Sequence, residues 1–198
     1  YQAMITLVFA TNNQHKLKEV RSMLPEWIQI KSLKDIGCEE DLPETGKTFQ
    51  ANALQKARYI SEKYGLNCMA DDSGLEGEAL GGEPGVYSAR YAGARATSSG
   101  NILKLLHAMK GESNRKAKFT AMVALIINGQ VNYFEGTING RITETERGSS
   151  GFGYDPVFVP ENHEKTFAEM SQQEKNSMSH RANAISLMAE WMKVNLLV

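Results

Sequence analysis

The chain has 198 residues, of which 41% are hydrophobic and 23% charged, so it can bury a core of ordinary globular composition. Its formal net charge of −1 provides no overall field that would attract a nucleic-acid polymer or an anionic membrane surface. No apolar run approaches the roughly 18 residues that a membrane-spanning helix needs. We therefore expect neither a nucleic-acid polymer nor a membrane among its partners.

The two cysteines, Cys38 and Cys68, lack the CxxC or CxxH spacing of a structural zinc site. A reduced protein in the cytoplasm is the simplest account of that usage. Met4 looks like a natural start, and residues 1–3 look like a remnant of expression. We therefore predict a single domain over residues 4–198.

The front of the chain alternates predicted strands and helices. Residues 4–10 form a nearly continuous apolar run, which is typical of a strand buried on both faces. An amphipathic helix follows that run. A second strand within residues 27–33 then precedes a long helix over residues 49–64, with Thr45 or Thr48 as its cap.

A polar turn, residues 11–16, joins the first strand to the first helix. The start of a helix presents free N–H groups and the positive end of a dipole, which together favour an anion. Thr11, Asn12 and Asn13 add donors, and Lys16 adds a positive charge. The same residues also suit an ordinary helix cap, and this segment alone favours neither interpretation.

The stretch Ala70-Asp71-Asp72-Ser73-Gly74-Leu75 follows an apolar lead-in, and we predict that a short strand ends there in a turn. At a strand end the core fixes the backbone while the side chains meet water. Adjacent carboxylates suit a hard cation such as Mg²⁺, with one of them available to accept a proton. In isolation the stretch is also ordinary turn chemistry.

The rest of the chain mixes glycine-rich loops with short elements. Residues 81–93 are rich in glycine and tyrosine and predict a lid or interface loop. Asn128-Gly129 joins two apolar runs and predicts a hairpin. We also predict a helix over 101–109 and the two hairpin strands over 118–128 and 130–138. A loop over 136–153, a strand over 155–159 and a final helix over 177–197 follow. The order of elements predicts an α/β fold with a mixed sheet and helices around it.

We expect the aromatic ring of Phe152, in a glycine-rich segment, to be exposed. Glycines on both sides let the backbone approach a flat ligand, and stacking of a base on such a ring contributes about 1–3 kcal/mol. Backbone N–H groups and Asp155 could read the base edge. The alternative is a structural aromatic in a turn. Lys175 and Ser179-His180-Arg181 place cations near the last helix, which is also ordinary for a protein surface.

Six ordered segments resemble the inosine triphosphate pyrophosphatase family, the Ham1/RdgB-like noncanonical purine nucleoside triphosphate pyrophosphatases. They cover nearly the whole chain. They are TNNQHK (11–16), ETGKTFQANALQKA (44–57), ADDSGL (70–75), GGEPGVYSARYAG (81–93), SSGFGYDPVF (149–158) and SHR (179–181). One departure is Ala51, where the family pattern has Glu; if that Glu aids the metal site, another carboxylate or water must replace it.

The resemblance implies hydrolysis of ITP, dITP and XTP to the monophosphate and pyrophosphate with Mg²⁺, which cleanses the nucleotide pool. It also implies an elongated α/β fold of the ITPase-like (Maf/Ham1) type, with two lobes around a central cleft, and a homodimer. Two rival readings are a pyrophosphatase that prefers other bases and a nucleotide-binding module without catalysis. The change at Ala51 makes the second rival plausible.

The resemblance also assigns roles to individual residues. The implied metal ligands are Glu44, Asp72 and the nearby Asp71, and Asp72 or the Asp71–Asp72 pair is the expected proton acceptor. The implied phosphate contacts are Thr11, Asn12, Asn13, Lys16, Lys56 and Ser73. The residues implied at the base end are Phe152, Gly153, Tyr154, Asp155, Lys175, His180 and Arg181.

Overall fold

The computed structural model describes residues 3–197 as a six-stranded mixed sheet flanked by helices, which confirms the predicted fold class. Residues 1–2, part of the predicted expression remnant, and residue 198 lie outside the described residues. The strands are β1 (Ile5–Phe9), β2 (Ile28–Lys31), β3 (Cys68–Gly77), β4 (Lys116–Ile127), β5 (Gln130–Ile142) and β6 (Phe158–Pro160). The helices are α1 (Gln14–Met23), α2 (Phe49–Tyr64), α3 (Ser98–Ala108), α4 (Gln172–Asn176) and α5 (His180–Leu196).

The sheet combines parallel and antiparallel pairs in the order β2-β1-β3-β4-β5-β6. Strand β1 pairs in parallel with β2 and β3, and β5 pairs antiparallel with β6. The two-residue turn between β4 and β5 has φ of 50° at Asn128 and 78° at Gly129. Positive φ at both positions is what the favoured hairpin turn requires. The predicted hairpin is therefore confirmed.

The described chain forms two compact units. The first comprises residues 3–72, 121–136 and 181–197, and the second comprises residues 73–120 and 137–180. The single domain and the central cleft stay predictions. No helix within residues 3–197 has both the length and the apolar character needed to cross a membrane.

The first unit has an apolar core on each face of its strands. Leu7 and Phe9 of β1 belong to the core that α1 and α5 cover, whereas Val8 and Ala10 belong to the core that α2 covers. Successive side chains of a strand point to opposite faces. The unbroken apolar run of β1 therefore has the cause we predicted, which is burial on both sides.

The second unit is held by one core beneath α3. Its centre is an aromatic cluster in which the ring of Phe158 lies 4.6 Å from that of Phe119 and 5.3 Å from that of Phe167, measured between centroids. Edge-to-face and tilted ring pairs of this kind add to the stability that area burial gives.

Helix caps fix the ends of the two helices nearest the candidate site. The Asn13 carboxamide accepts from the Lys16 N–H, and the Thr48 hydroxyl accepts from the Ala51 N–H. Each bond satisfies a backbone donor that the helix itself leaves unpaired. Thr48, not Thr45, is therefore the cap of α2, and Gly65 ends that helix as a left-handed residue.

The predicted turn at Ser73-Gly74 is wrong, because β3 continues to Gly77. Strand β3 lies between β1 and β4 inside the sheet. Its residue Leu75 is fully buried, and the Ser88 hydroxyl accepts from the Leu75 N–H at 3.0 Å. Pairing and burial outweigh the local turn preference of Asp-Ser-Gly.

Boundaries in the second unit also differ from the prediction. Strand β5 extends to Ile142, which is fully buried and pairs with Phe158, so the loop predicted from residue 136 begins later. Residues Asp155–Val157 form a 3₁₀ turn rather than the start of a strand. Proline at the second position of that turn suits a helical start and not a paired strand.

Candidate active site

The two neighbouring aspartates of β3 face opposite sides of the sheet. Asp71 contacts Lys16 of α1 and Arg181 of α5. Asp72 instead accepts a hydrogen bond from Asn52 of α2. Because side chains alternate along a strand, the pair is split between two environments, and the two carboxylates differ in chemistry.

Asp71 lies in a buried cluster of alternating charges. Its Oδ1 is 3.1 Å from the Lys16 ammonium and its Oδ2 accepts from Arg181 Nε at 2.9 Å. Arg181 Nη1 donates to Glu19 Oε1 at 2.7 Å. Burial alone would raise the pKa of Asp71, but the charges of Lys16 and Arg181 outweigh it and hold that pKa well below its usual range. Asp71 therefore stays ionised and balances the two cations.

Asp72 has the opposite electrostatic character. Burial raises its pKa to about 6, and the negative charge of Glu44 adds to the rise. The charges of Lys16 and Lys56 and the hydrogen bond from Asn52 oppose that rise without cancelling it. A carboxyl group whose pKa lies near neutrality suits general base catalysis. Asp72 therefore has a higher proton affinity than Asp71, and its predicted role as proton acceptor stays a prediction.

Lys56 connects Glu44 to β3. Its buried ammonium donates to Glu44 Oε1 and to the main-chain carbonyl of Asp71, each at 2.6 Å. Glu44 itself is half-buried. The lysine therefore holds the Glu44 carboxylate beside the strand that carries Asp72.

The donor set of Glu44 and Asp72 fits a hard divalent cation. Within residues 3–197, no three His, Cys, Asp or Glu side chains converge as a metal-ligating group. Mg²⁺ in nucleotide sites commonly uses one or two carboxylates, with waters and phosphate oxygens for the rest. Burial and, to a smaller extent, the charge of Glu44 raise the pKa of Asp72, and a bound cation would lower it. Asp71 faces two protein cations, and its predicted role as a ligand stays a prediction.

In the turn before α1, the polar side chains form hydrogen bonds with main-chain groups. Thr11 Oγ1 accepts from the Asn13 N–H at 3.1 Å, and Asn13 Oδ1 accepts from the Lys16 N–H at 3.1 Å. The Asn12 amide donates to the Glu40 carbonyl and accepts from the Leu42 N–H. The cap interpretation is therefore confirmed, and phosphate contacts of these residues stay predictions.

The second unit holds most residues predicted for the base end. Lys175 donates to Asp155 Oδ2 at 2.8 Å, and both side chains are buried. The Lys175 ammonium also lies 4.8 Å from the centroid of the half-buried Phe152 ring, and the Phe152 N–H donates to Asp155 Oδ2. The Asp155 carboxylate thus fixes both the aromatic turn and the lysine.

The other predicted base-end residues also have structural partners. The Tyr154 hydroxyl donates to the Ser88 carbonyl at 2.6 Å, and burial raises the pKa of Tyr154. His180 stacks on Phe119 with 4.6 Å between ring centroids. Gly153 is half-buried in this unit, and so is Ser73, whose predicted phosphate contact stays a prediction. Arg181 belongs to the first unit, where Asp71 and Glu19 bind it, so its predicted role at the base stays a prediction.

Sequence reasoning gave no role to Glu19 or Asn52. Glu19 is buried and pairs with Arg181, and nothing in the local sequence distinguishes it from the exposed charged residues of α1. Asn52 lies inside the segment 44–57, but asparagine in a helix does not by itself indicate a buried contact with a carboxylate. Ala51, the departure from the family pattern, is exposed in the first turn of α2.

Comparison with known proteins agrees with this architecture. A dITP/XTP pyrophosphatase of Flavobacterium johnsoniae is 52% identical over 179 residues, covering 90% of this chain and 93% of that protein. One from Porphyromonas gingivalis is 50% identical over 190 residues, covering 96% and 98%. The solved structure of a HAM1 protein from Coxiella burnetii aligns with a TM-score of 0.87 and 38% identity, covering 96% of this chain and all of that one. A family model described as the Ham1 family matches residues 7–191, and the chain belongs to that family.

Proposed function

We propose that the protein hydrolyses noncanonical purine nucleoside triphosphates, namely dITP, ITP and XTP, to the monophosphate and pyrophosphate. The observation that carries the proposal is a pair of acidic groups, Glu44 and Asp72, beside two lysines, Lys16 and Lys56. In this group the pKa of Asp72 is raised to about 6. The named activity of the relatives at about half identity supports the same substrate class.

The proposed chemistry at the phosphates follows from the charges of the first unit. Asp72 accepts the proton of the attacking water, since without metal its pKa is raised to about 6, and this raised proton affinity opposes the lowering that a bound cation causes. Lys16 lies near Asp72, and its ammonium neutralises charge that develops on the phosphate oxygens. Glu44 and Asp72 would hold Mg²⁺, which when bound lowers the proton affinity of water and screens the triphosphate.

The proposed recognition of the base rests on hydrogen-bond direction. Hypoxanthine and xanthine carry an acceptor oxygen at position 6, where adenine carries a donor amine. Donors such as the Lys175 ammonium and backbone N–H groups favour the oxygen, and Phe152 offers a stacking face. The resemblance also supports a homodimer in the cytoplasm without a nucleic-acid polymer or a membrane as partner.

A panel of triphosphates tests the proposal and separates it from its rivals. With Mg²⁺, we expect kcat/KM for pyrophosphate release from dITP and XTP to exceed that from dATP by about 10⁴-fold, because a site built on donors rejects the amine. Modified pyrimidine triphosphates serve as the comparison set. A preference for those pyrimidines would favour the pyrophosphatase with other bases, and tight binding of dITP without turnover would favour the binding module.

A further inference from the structure

Asn52 connects Asp72 to the loop that follows Glu44. The side chain is fully buried near the start of α2. Its Oδ1 accepts from the Gly46 N–H at 2.7 Å, and its Nδ2 donates to Asp72 Oδ2 at 3.0 Å. The Asn52 amide thus joins the Asp72 carboxylate to Gly46, which lies two residues after Glu44 in the same loop.

The loop can approach α2 only because residue 46 is glycine. A Cβ atom at Gly46 would lie 2.7 Å from the Ala51 Cβ and 2.9 Å from Asn52 Oδ1, which is closer than carbon atoms tolerate. Because the Gly46 N–H is a donor, the end of the Asn52 amide that faces it must be the oxygen and not the NH₂ group. The orientation of the amide is therefore fixed, and its N–H group faces Asp72.

We propose that Asn52 is a positioning residue that holds the Asp72 carboxylate in the orientation needed for metal binding and proton transfer. The inference rests on the proposed function of Asp72 and Glu44. Asn52 acts through Asp72 and the main chain at Gly46, not through the substrate. Groups that orient a ligating carboxylate commonly change metal affinity or activity by about 10- to 100-fold when they are removed.

The same helix provides a matched comparison. Gln55 also holds the loop after Glu44, since its Oε1 accepts from the Thr45 N–H at 2.9 Å and its Nε2 donates to Thr45 Oγ1 at 3.0 Å. These bonds anchor the loop but do not reach Asp72. Replacing each amide with leucine therefore separates orientation of Asp72 from anchoring of the loop.

Direct metal binding tests the inference without relying on turnover. Mn²⁺ affinity is measured by electron paramagnetic resonance with an α,β-methylene analogue of dITP, for the wild type, Asn52→Leu and Gln55→Leu. We expect Asn52→Leu to weaken Mn²⁺ binding by about 10- to 100-fold and to lower kcat for dITP by a similar factor at saturating metal, with the KM for dITP within about threefold. Gln55→Leu should keep the wild-type Mn²⁺ affinity within about threefold.

Two results would overturn the role of Asn52. One is an unchanged Mn²⁺ affinity in Asn52→Leu, and the other is an equal loss in Gln55→Leu. Thermal unfolding in EDTA identifies misfolded variants; should Asn52→Leu fail to fold, Asn52→Ala, with room for water beside Asp72, carries the same expectation. If the wild type releases no pyrophosphate, the proposed function is wrong. If the wild type turns over normally and Asn52→Leu keeps its Mn²⁺ affinity, only the inference about Asn52 is wrong.

Discussion

Asp72→Asn is expected to lower kcat for pyrophosphate release from dITP by about 10²- to 10⁴-fold, the range that general base catalysis contributes. The amide cannot take a proton from water at neutral pH, and it carries no charge toward a divalent cation. Its oxygen can still accept the hydrogen bond from Asn52, so the local packing is retained. Initial rates at saturating Mg²⁺ and dITP measure the effect.

Although Asp72→Asn should lose activity, its free energy of unfolding should not fall below that of the wild type. Because the pKa of folded Asp72 is raised to about 6, its ionised form costs folding free energy at pH 7. That cost begins to shrink as the pH falls through the folded pKa, and it is gone below the unfolded pKa of about 3.9. Asparagine removes the charge at every pH. In EDTA at pH 7, Asp72→Asn should therefore unfold at an equal or higher urea concentration than the wild type.

Asp35→Asn is the matched control for this change. Asp35 is exposed and accepts from the Ser32 N–H, which asparagine can also do. Its activity should stay within about twofold of the wild type, as for a surface change away from any site. A folded Asp72→Asn protein with activity equal to Asp35→Asn would exclude Asp72 as the proton acceptor.

Arg181→Met is expected to cost about 3–5 kcal/mol of folding free energy, the usual result of breaking a buried ion pair. Arg181 is 1% exposed, and its guanidinium donates to Asp71 and Glu19, which are 0% and 2% exposed. Methionine fills much of the space but leaves both acids without this partner. Urea unfolding in EDTA at pH 7 gives the difference.

Arg21→Met provides the comparison for an exposed pair. Its guanidinium lies 3.5 Å from Asp35, and the two side chains are 46% and 50% exposed. Surface pairs of this kind contribute at most about 1 kcal/mol. Equal losses in Arg21→Met and Arg181→Met would contradict the buried charge cluster around Asp71.

The cost of Arg181→Met should shrink as the pH falls. In the wild type the folded pKa of Asp71 is depressed, so its stabilising contribution is present above the unfolded pKa of about 3.9 and is lost as the pH drops through the folded pKa. Without Arg181 the pKa rises, and protonation relieves the unpaired charge. Urea unfolding at pH 4 and pH 7 should show the smaller difference at pH 4; a constant difference would contradict this reasoning.

The helices and the hairpin could be predicted because their signals are local. The apolar run of β1, the Thr48 cap and the Asn128-Gly129 turn each depend on residues within a few positions of one another. The extension of β3 past Gly74 could not be predicted in this way, because the partner strand β4 supplies the reason and lies more than 40 residues later in the chain.

The candidate site was predictable in composition but not in its charge pattern. Motif resemblance identified Glu44, Lys56 and Asp72, and strand alternation allows Asp71 and Asp72 to face opposite sides, but neither indicates which charges meet each carboxylate. Arg181 meets Glu19 across 162 positions of sequence, and such a pair leaves no local periodic signal. The resulting contrast between an ionised Asp71 and a basic Asp72 depends on burial, which only the fold supplies.

Hydrolysis of dITP in ¹⁸O-labelled water, with Mg²⁺ or with EDTA, tests the central proposal most directly. Water attack at the α-phosphorus predicts ¹⁸O in the phosphate of dIMP, unlabelled pyrophosphate, and loss of turnover when EDTA removes the metal. Mass spectrometry of both products reads the position of the label. Release of orthophosphate, label in pyrophosphate, or undiminished turnover in EDTA would contradict the account.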